Sequence, residues 1–336
     1  MKKIIFVCLV FLGAVFFCAG CQSGSAGDGK KEIKKESTEL FAMDTIIDLT
    51  VYAKEPSEIL AEAAKRIQNY EKLFSVNIET SDVAKLNCAG GEPVQVSSET
   101  YELIGKGIAV SERTGGLFDL SVYPLVKAWG FTTEEYRIPD QKEREKLLEN
   151  IDYRRIEMGE DSTVRIPEEM QIDLGGIAKG YVSQKLIELF RQKKAKAAVV
   201  SLGGNVQTYG EKPDGTLFTV GITDPKDGTG ILGTIEVGEK AVITSGSYQR
   251  YFERDGVTYH HIMDKRTGAP ADSDLKSVTV ISDEGESADS LATALFVMGK
   301  EKAVEFDRAN EDVQLILIDQ QNEVWTSDGI KLARNR

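Results

Sequence analysis

Asp173-Leu174-Gly175-Gly176-Ile177-Ala178-Lys179-Gly180-Tyr181 sets adjacent glycines where a short strand gives way to a helix. Glycines at such a junction let the backbone come close to a ligand, and the unpaired N–H groups of a helix start favour negative charge. Lys179 adds a cation, and Asp173 can accept a hydrogen bond from a base or ring. The stretch is neither of the established glycine-rich patterns, G-x-x-x-x-G-K-[ST] or G-x-G-x-x-G, so taken alone it reads first as an ordinary Gly-rich helix start.

Outward from this junction the pattern decides the fold class. The helix runs from about Gly176 to Lys193, and strands follow it at Ala197–Leu202, Leu217–Ile222, Gly233–Val237, Ala241–Thr244 and Ser277–Ser282. A closing hairpin occupies Val313–Thr326, and one helix near Ser287 to Met298 interrupts the series. Upstream, Asp44 to Tyr52 alternates as a strand. Pro56 then opens a helix whose apolar residues Ile59, Leu60, Ala63, Ile67, Tyr70 and Phe74 keep 3–4 spacing. Further helices run from about Ser98 to Thr114, stopping at Gly115-Gly116, and from Asp140 through Leu148. Strands in runs, without regular βαβ alternation, predict an α+β fold with mixed or antiparallel sheets and packed helices. No linker or fixed-period repeat divides residues 38–336, which read as one composite catalytic unit.

With 41% hydrophobic and 28% charged residues, the chain has the composition of a globular protein. Its formal net charge of −13 argues against nucleic acid as a partner, because a phosphate backbone demands a basic face. Two histidines and four cysteines, with no Cys-x-x-Cys pair, make a zinc site or disulfide framework a poor reading.

The first residues read as an address. Met1-Lys2-Lys3 is a short basic start, and the apolar run Ile4 to Phe17 would span ~21 Å as a helix at 1.5 Å per residue. That is short of the ~30 Å hydrocarbon core, so residues 1–20 read as a signal peptide. Cys18-Ala19-Gly20-Cys21 resembles the lipobox of bacterial lipoproteins, with Cys18 where that box usually has Leu. Cys21 is then the lipidated residue, carrying diacylglycerol and an amide-linked acyl chain such as palmitate, and 21–37 a flexible tether. This implies an extracytoplasmic, membrane-anchored protein in which Cys88 is left without a disulfide partner.

Two more clusters carry possible chemistry. In Ala288-Asp289-Ser290-Leu291-Ala292-Thr293-Ala294-Leu295, Asp289 and Thr293 stand four apart and share a helix face, where a carboxylate and a hydroxyl can reach one hard cation. The plainer alternative is an N-cap aspartate and a threonine bonding its own backbone. Tyr259-His260-His261-Ile262-Met263-Asp264 holds both histidines, and strand alternation would send them to opposite faces. A lone strand histidine is otherwise a structural residue.

Together these clusters resemble the ApbE family of bacterial FAD:protein FMN transferases. The matching stretches stand in family order: Met43-Asp44-Thr45, Phe74 to Asn87, Gly116-Leu117-Phe118-Asp119, Pro124-Leu125, Trp129-Gly130-Phe131, Asp173 to Tyr181, Gly203-Gly204-Asn205, Thr244 to Gln249, His260 to Gly268 and Ala288 to Leu295. The resemblance implies that Met43, Asn77, Leu117, Phe118, Asp119, Asp173, Lys179 and Ile262 line an FAD site. It implies a Mg²⁺ site on Asp289, Thr293 and a backbone carbonyl at Gly176 or Ala178. Asp44 stands where the family usually has Gly, Lys265 where it usually has Pro, and Asn77 where an aromatic is common.

The implied reaction is attack of a Thr or Ser hydroxyl of an extracytoplasmic acceptor protein on the FMN-side phosphorus of FAD, releasing AMP. Lys179 would offset phosphate charge. His261 is the expected general base, titrating near 6.5 if unperturbed, with Asp264 as a substitute. Removing Asp289 is expected to abolish transfer with the fold intact. Two alternatives stay open: hydrolysis of FAD to FMN and AMP, towards which Asn77 points, and FAD binding without turnover.

Overall fold

Two tight hairpins close one end of the main sheet. In a computed structural model that describes residues 32–226 and 228–334, strand Lys34–Ala42 turns through Met43-Asp44 into strand Thr45–Ala53, and strand Ala197–Leu202 turns through Gly203-Gly204 into Asn205–Gly210. Each loop has two residues, and all four have positive φ, from +53° at Met43 to +89° at Gly204. This is the geometry that matches the right-handed twist of paired strands. Asp44, at φ +60°, therefore occupies a position made for glycine, and aspartate is among the few residues that tolerate it. The two turns nest: a Cβ on Gly203 would lie 2.5 Å from Thr45 Oγ1, and the Gly203 N–H donates to Ile46 O at 3.0 Å.

The sheet has eight strands in the order 34–42, 45–53, 197–202, 205–210, 241–246, 275–282, 313–319, 324–326, and every described pairing is antiparallel. Alternation sorts its side chains. Ile243, Val278, Val280, Leu315 and Leu317 join the core shared with the helices, whereas Val242, Ile281, Ile316 and Ile318 pack with Phe218, Val220 and Ile235 of a small second sheet. That second sheet comprises Phe218–Thr223, Ile231–Val237 and Ala333–Arg334. A third cluster, around Leu125, Trp129, Phe131, Phe252 and Met263, underlies the hairpin Tyr251–Arg254/Val257–His260.

The helices follow their sequence signals. Pro56–Phe74 starts on its proline and buries the expected apolar stripe. Ser98–Arg113 is capped by the Ser97 hydroxyl and stops before Gly115-Gly116, both at positive φ. The Gly175–Gln192 and Gly285–Met298 helices, the latter ended by Gly299 at φ +86°, are buried along most of their length.

The described residues from Ile33 onward fall in one compact unit. The tether boundary needs correction: Lys34 already pairs with Ala53, so residues 34–37 belong to the sheet. Their charges suit an exposed edge strand, which hides the strand signal. The signal-peptide and Cys21 readings lie outside the described residues. Among the described residues no helix is long and apolar enough to cross a membrane.

Candidate active site

Where the two buried helices cross, Gly180 faces Asp289. A Cβ on Gly180 would lie 2.7 Å from Asp289 Cβ and closer still to the Gly285 carbonyl, so only glycine permits this approach. The Gly180 N–H donates to Asp289 Oδ2 at 2.9 Å, and Asn205 Nδ2 donates to Oδ1 at 2.9 Å. Asn205 is fixed in turn, its Oδ1 accepting from Thr244 N at 3.4 Å. Thr293, one turn on, shares a 3.1 Å hydrogen bond with Ser245 Oγ on strand Ala241–Gly246. Asp289 is only 4% exposed. Burial pushes its carboxyl above the usual range, against the opposing pull of the Lys179 charge and the two N–H donors. A carboxylate holding only two donors keeps lone pairs for a cation. Of the two candidate carbonyls, that of Gly176 is the one whose regular helix partner, the Gly180 N–H, is engaged by Asp289. Among the described residues no group of three or more His, Cys, Asp or Glu is arranged to hold a metal.

Asp173 guards the start of the same helix, its Oδ1 accepting from Gly175 N at 2.9 Å. Enclosure raises its proton affinity, opposed by the Gly175 N–H and by the charges of Lys179 and Arg250. Lys179 is half-buried, with its Nζ 3.4 Å from Gly175 O. Phe118 is buried against Gly176, where a Cβ would meet its ring at 3.0 Å. Met43 is half-buried at the first hairpin turn, its N–H donating to Glu71 Oε1 at 2.7 Å. Leu117 is half-buried against the core, whereas Ala178 and Ile262 are buried within it. Asn77 lies exposed in the loop after the Pro56–Phe74 helix, with its N–H on Ser75 Oγ.

The two histidines differ, but not by strand alternation, because the strand ends at His260. His260 ends its strand buried, Nε2 on the Ala271 carbonyl at 3.1 Å and its ring edge-on to Phe296. His261 lies just beyond the strand, with Nδ1 3.2 Å from the Arg250 carbonyl. A carbonyl only accepts, so Nδ1 carries the proton and Nε2 keeps its lone pair. Packing and the neighbouring Arg250 charge hold the imidazole far below its ordinary value, down to about 3. The imidazole is thus perturbed from the ~6.5 of a free ring, in the direction that favours its neutral form. Asp264, the substitute base, has both oxygens held by Arg266 Nε and Nη2 at 2.7–3.0 Å.

Asn205 and Ser245 lie within the family-like stretches and Arg250 directly after one, yet their roles depend on partners far away in sequence. Arg250 donates from Nη2 to Phe131 O at 2.6 Å and stands 3.9 Å from Asp44 Oδ2, tying the His261 hairpin towards the first turn.

The fold is shared with bacterial proteins described as flavin transferases. The ApbE protein of Thermotoga maritima aligns with a TM-score of 0.82 at 33% identity, covering 88% of this chain and 97% of that one. Flavin transferase ApbE from Vibrio cholerae aligns with a TM-score of 0.79 at 26% identity, covering 88% and 98%. A Treponema pallidum protein named FAD:protein FMN transferase is 34% identical over 345 residues, spanning 96% of this chain and 95% of its own length. The ApbE family pattern matches residues 43–317. The chain belongs to the ApbE family.

Proposed function

We propose that this protein transfers the FMN portion of FAD to a Thr or Ser hydroxyl of an acceptor protein, releasing AMP. The observation that carries the reading is the buried Asp289, held by Gly180 and Asn205 beside Thr293 and within the field of Lys179. Relatives of nearly the same length are named for this activity. Asp289, Thr293 and the Gly176 carbonyl would supply an all-oxygen donor set with one buried carboxylate, a chemistry that suits Mg²⁺. When bound there, Mg²⁺ would neutralise pyrophosphate charge and orient the leaving group.

The remaining work falls to the chain itself. The glycine-opened helix start brings N–H groups and Lys179 towards the phosphates. His261 Nε2 takes the acceptor hydroxyl proton as the new oxygen–phosphorus bond to FMN forms. The bond from that phosphorus to the AMP oxygen breaks, and AMP leaves with the electron pair. Positioning and charge neutralisation supply most of the rate in such transfers.

We place the protein on the extracytoplasmic face of the cell membrane, anchored through a lipid on Cys21. The 1–21 sequence supports that placement, with its basic start, apolar run and lipobox-like end.

Incubation with FAD and Mg²⁺, with and without an acceptor protein, tests the function. AMP appearing only with the acceptor is expected. AMP without it would mean hydrolysis, and no AMP would mean binding alone.

A further inference from the structure

Asp119 is wholly enclosed, and its carboxylate gathers three segments of chain. Oδ1 accepts from the Ser121 N–H at 2.9 Å and the Ser121 hydroxyl at 2.6 Å. Oδ2 accepts from the Tyr153 N–H at 3.2 Å and from Lys265 Nζ at 2.8 Å. Lys265 lies 146 residues further along the chain, with its side chain 22% exposed and that of Asp119 at 0%. Its ammonium also sits 5.2 Å from the Tyr153 ring centroid and against Gly116, where a Cβ would be 2.7 Å from Nζ. Gly116, at φ +78°, supplies both the turn and the room.

This contact joins two walls of the site. Lys265 belongs to the turn that follows His261-Ile262, a turn held from another side by Trp129 Nε1 on the Gly268 carbonyl at 3.0 Å. Asp119 belongs to the loop whose Phe118 lies against Gly176. A carboxylate buried without its cation is strongly unfavourable, so the pair resists opening.

We propose that Lys265 is a positioning residue for the flavin site: through Asp119 it holds the 116–119 loop, and Phe118 with it, against the glycine-opened helix start at a set spacing from His261. The inference rests on the flavin-transferase reading and adds a determinant of FAD affinity to it. Lys265 acts through Asp119, so the effect belongs to the pair: once Asp119 is changed, losing the lysine should cost nothing more.

The test compares wild type with Lys265→Met, Lys265→Arg, Asp119→Asn and the double variant Lys265→Met/Asp119→Asn. FAD affinity is read by flavin fluorescence titration, KM and kcat by AMP release, and folding by circular dichroism and Tm. Lys265→Met is expected to weaken FAD binding and raise KM about tenfold, the scale of coupling within one ion-pair network, with kcat little changed. Lys265→Arg should recover most of that loss, and the double variant should bind FAD no more weakly than Asp119→Asn alone. A folded Lys265→Met protein with wild-type FAD affinity overturns the proposal, even if its Tm falls, because the contact would then be structural only. A double variant whose loss is the sum of the two single losses overturns it too, since the lysine would not be acting through Asp119. If Lys265→Met does not fold, the comparison of the double variant with Asp119→Asn decides: equal FAD binding supports the proposal, and weaker binding in the double variant overturns it. A wild type that neither binds FAD nor releases AMP rejects the flavin reading, and the positioning role with it.

Discussion

Gly180 and Asp289, 109 positions apart, are joined by a 2.9 Å hydrogen bond from backbone N–H to carboxylate across two buried helices. One contact thus ties the glycine-rich helix start to the acidic helix, and it sets what substitution at either end does.

Asp289→Ala should abolish transfer, and it should also weaken the fold. The Gly180 N–H and Asn205 amide would be left unpaired in a buried site, each at about 1–3 kcal/mol. The sequence alone suggests an intact fold; the two donors argue otherwise. A mutant with wild-type Tm would show that the donors find other partners, and one with a normal rate at limiting Mg²⁺ would remove Asp289 from the site.

Gly180→Ala should force the helices apart, because the added methyl group would overlap the Gly285 carbonyl and press on Asp289 Cβ. Overpacking of this kind costs about 1–3 kcal/mol or more. Thermal unfolding and AMP release should fall together. An unchanged Tm would mean that the crossing has slack.

His261→Ala should lower kcat by roughly 10²–10⁴-fold if Nε2 removes the acceptor proton, with FAD affinity little changed. Because the ring's value is held down to about 3, wild-type kcat/KM should show no histidine limb near 6.5. Activity should fall only as pH drops towards the lowered value, where the base becomes protonated. The linked stability has the same direction: the unfolded chain binds the proton more readily, so stability is full above about 6.5 and declines as pH falls below it. His260→Ala should act through packing against Phe296 and lower Tm. A limb at 6.5 that vanishes in His261→Ala would contradict the lowered value of this ring.

The regular elements were mostly legible. Strand Ala197–Leu202 lies where alternation put it, and the Pro56–Phe74 stripe is the expected one. Strand Lys34–Ala42 was hidden because an edge strand carries charges where an inner strand carries Val or Ile. Asn205–Gly210 was hidden because its inward polar residues, Asn205 and Gln207, serve buried hydrogen bonds. In the site, Asp289, Thr293 and Lys179 could be found from local spacing and resemblance. The Asn205 bond to Asp289 and the Lys265 bond to Asp119 span 84 and 146 residues, and no local pattern encodes them.

Cys21→Ser should release the protein from membranes, because the thiol is the proposed acylation point. Fractionation in high salt checks this. Continued sedimentation with membranes would instead make Ile4 to Phe17 an uncleaved anchor.

The central claim is covalent transfer, and the most direct measurement is the stoichiometry of AMP released to FMN bound. Purified protein, FAD, Mg²⁺ and an acceptor protein are mixed; AMP is quantified and the acceptor analysed by intact and peptide mass spectrometry. Covalent transfer requires one AMP for each FMN, with the added mass on a Thr or Ser. AMP accumulating beside an unmodified acceptor and free FMN would contradict it and make the protein an FAD hydrolase.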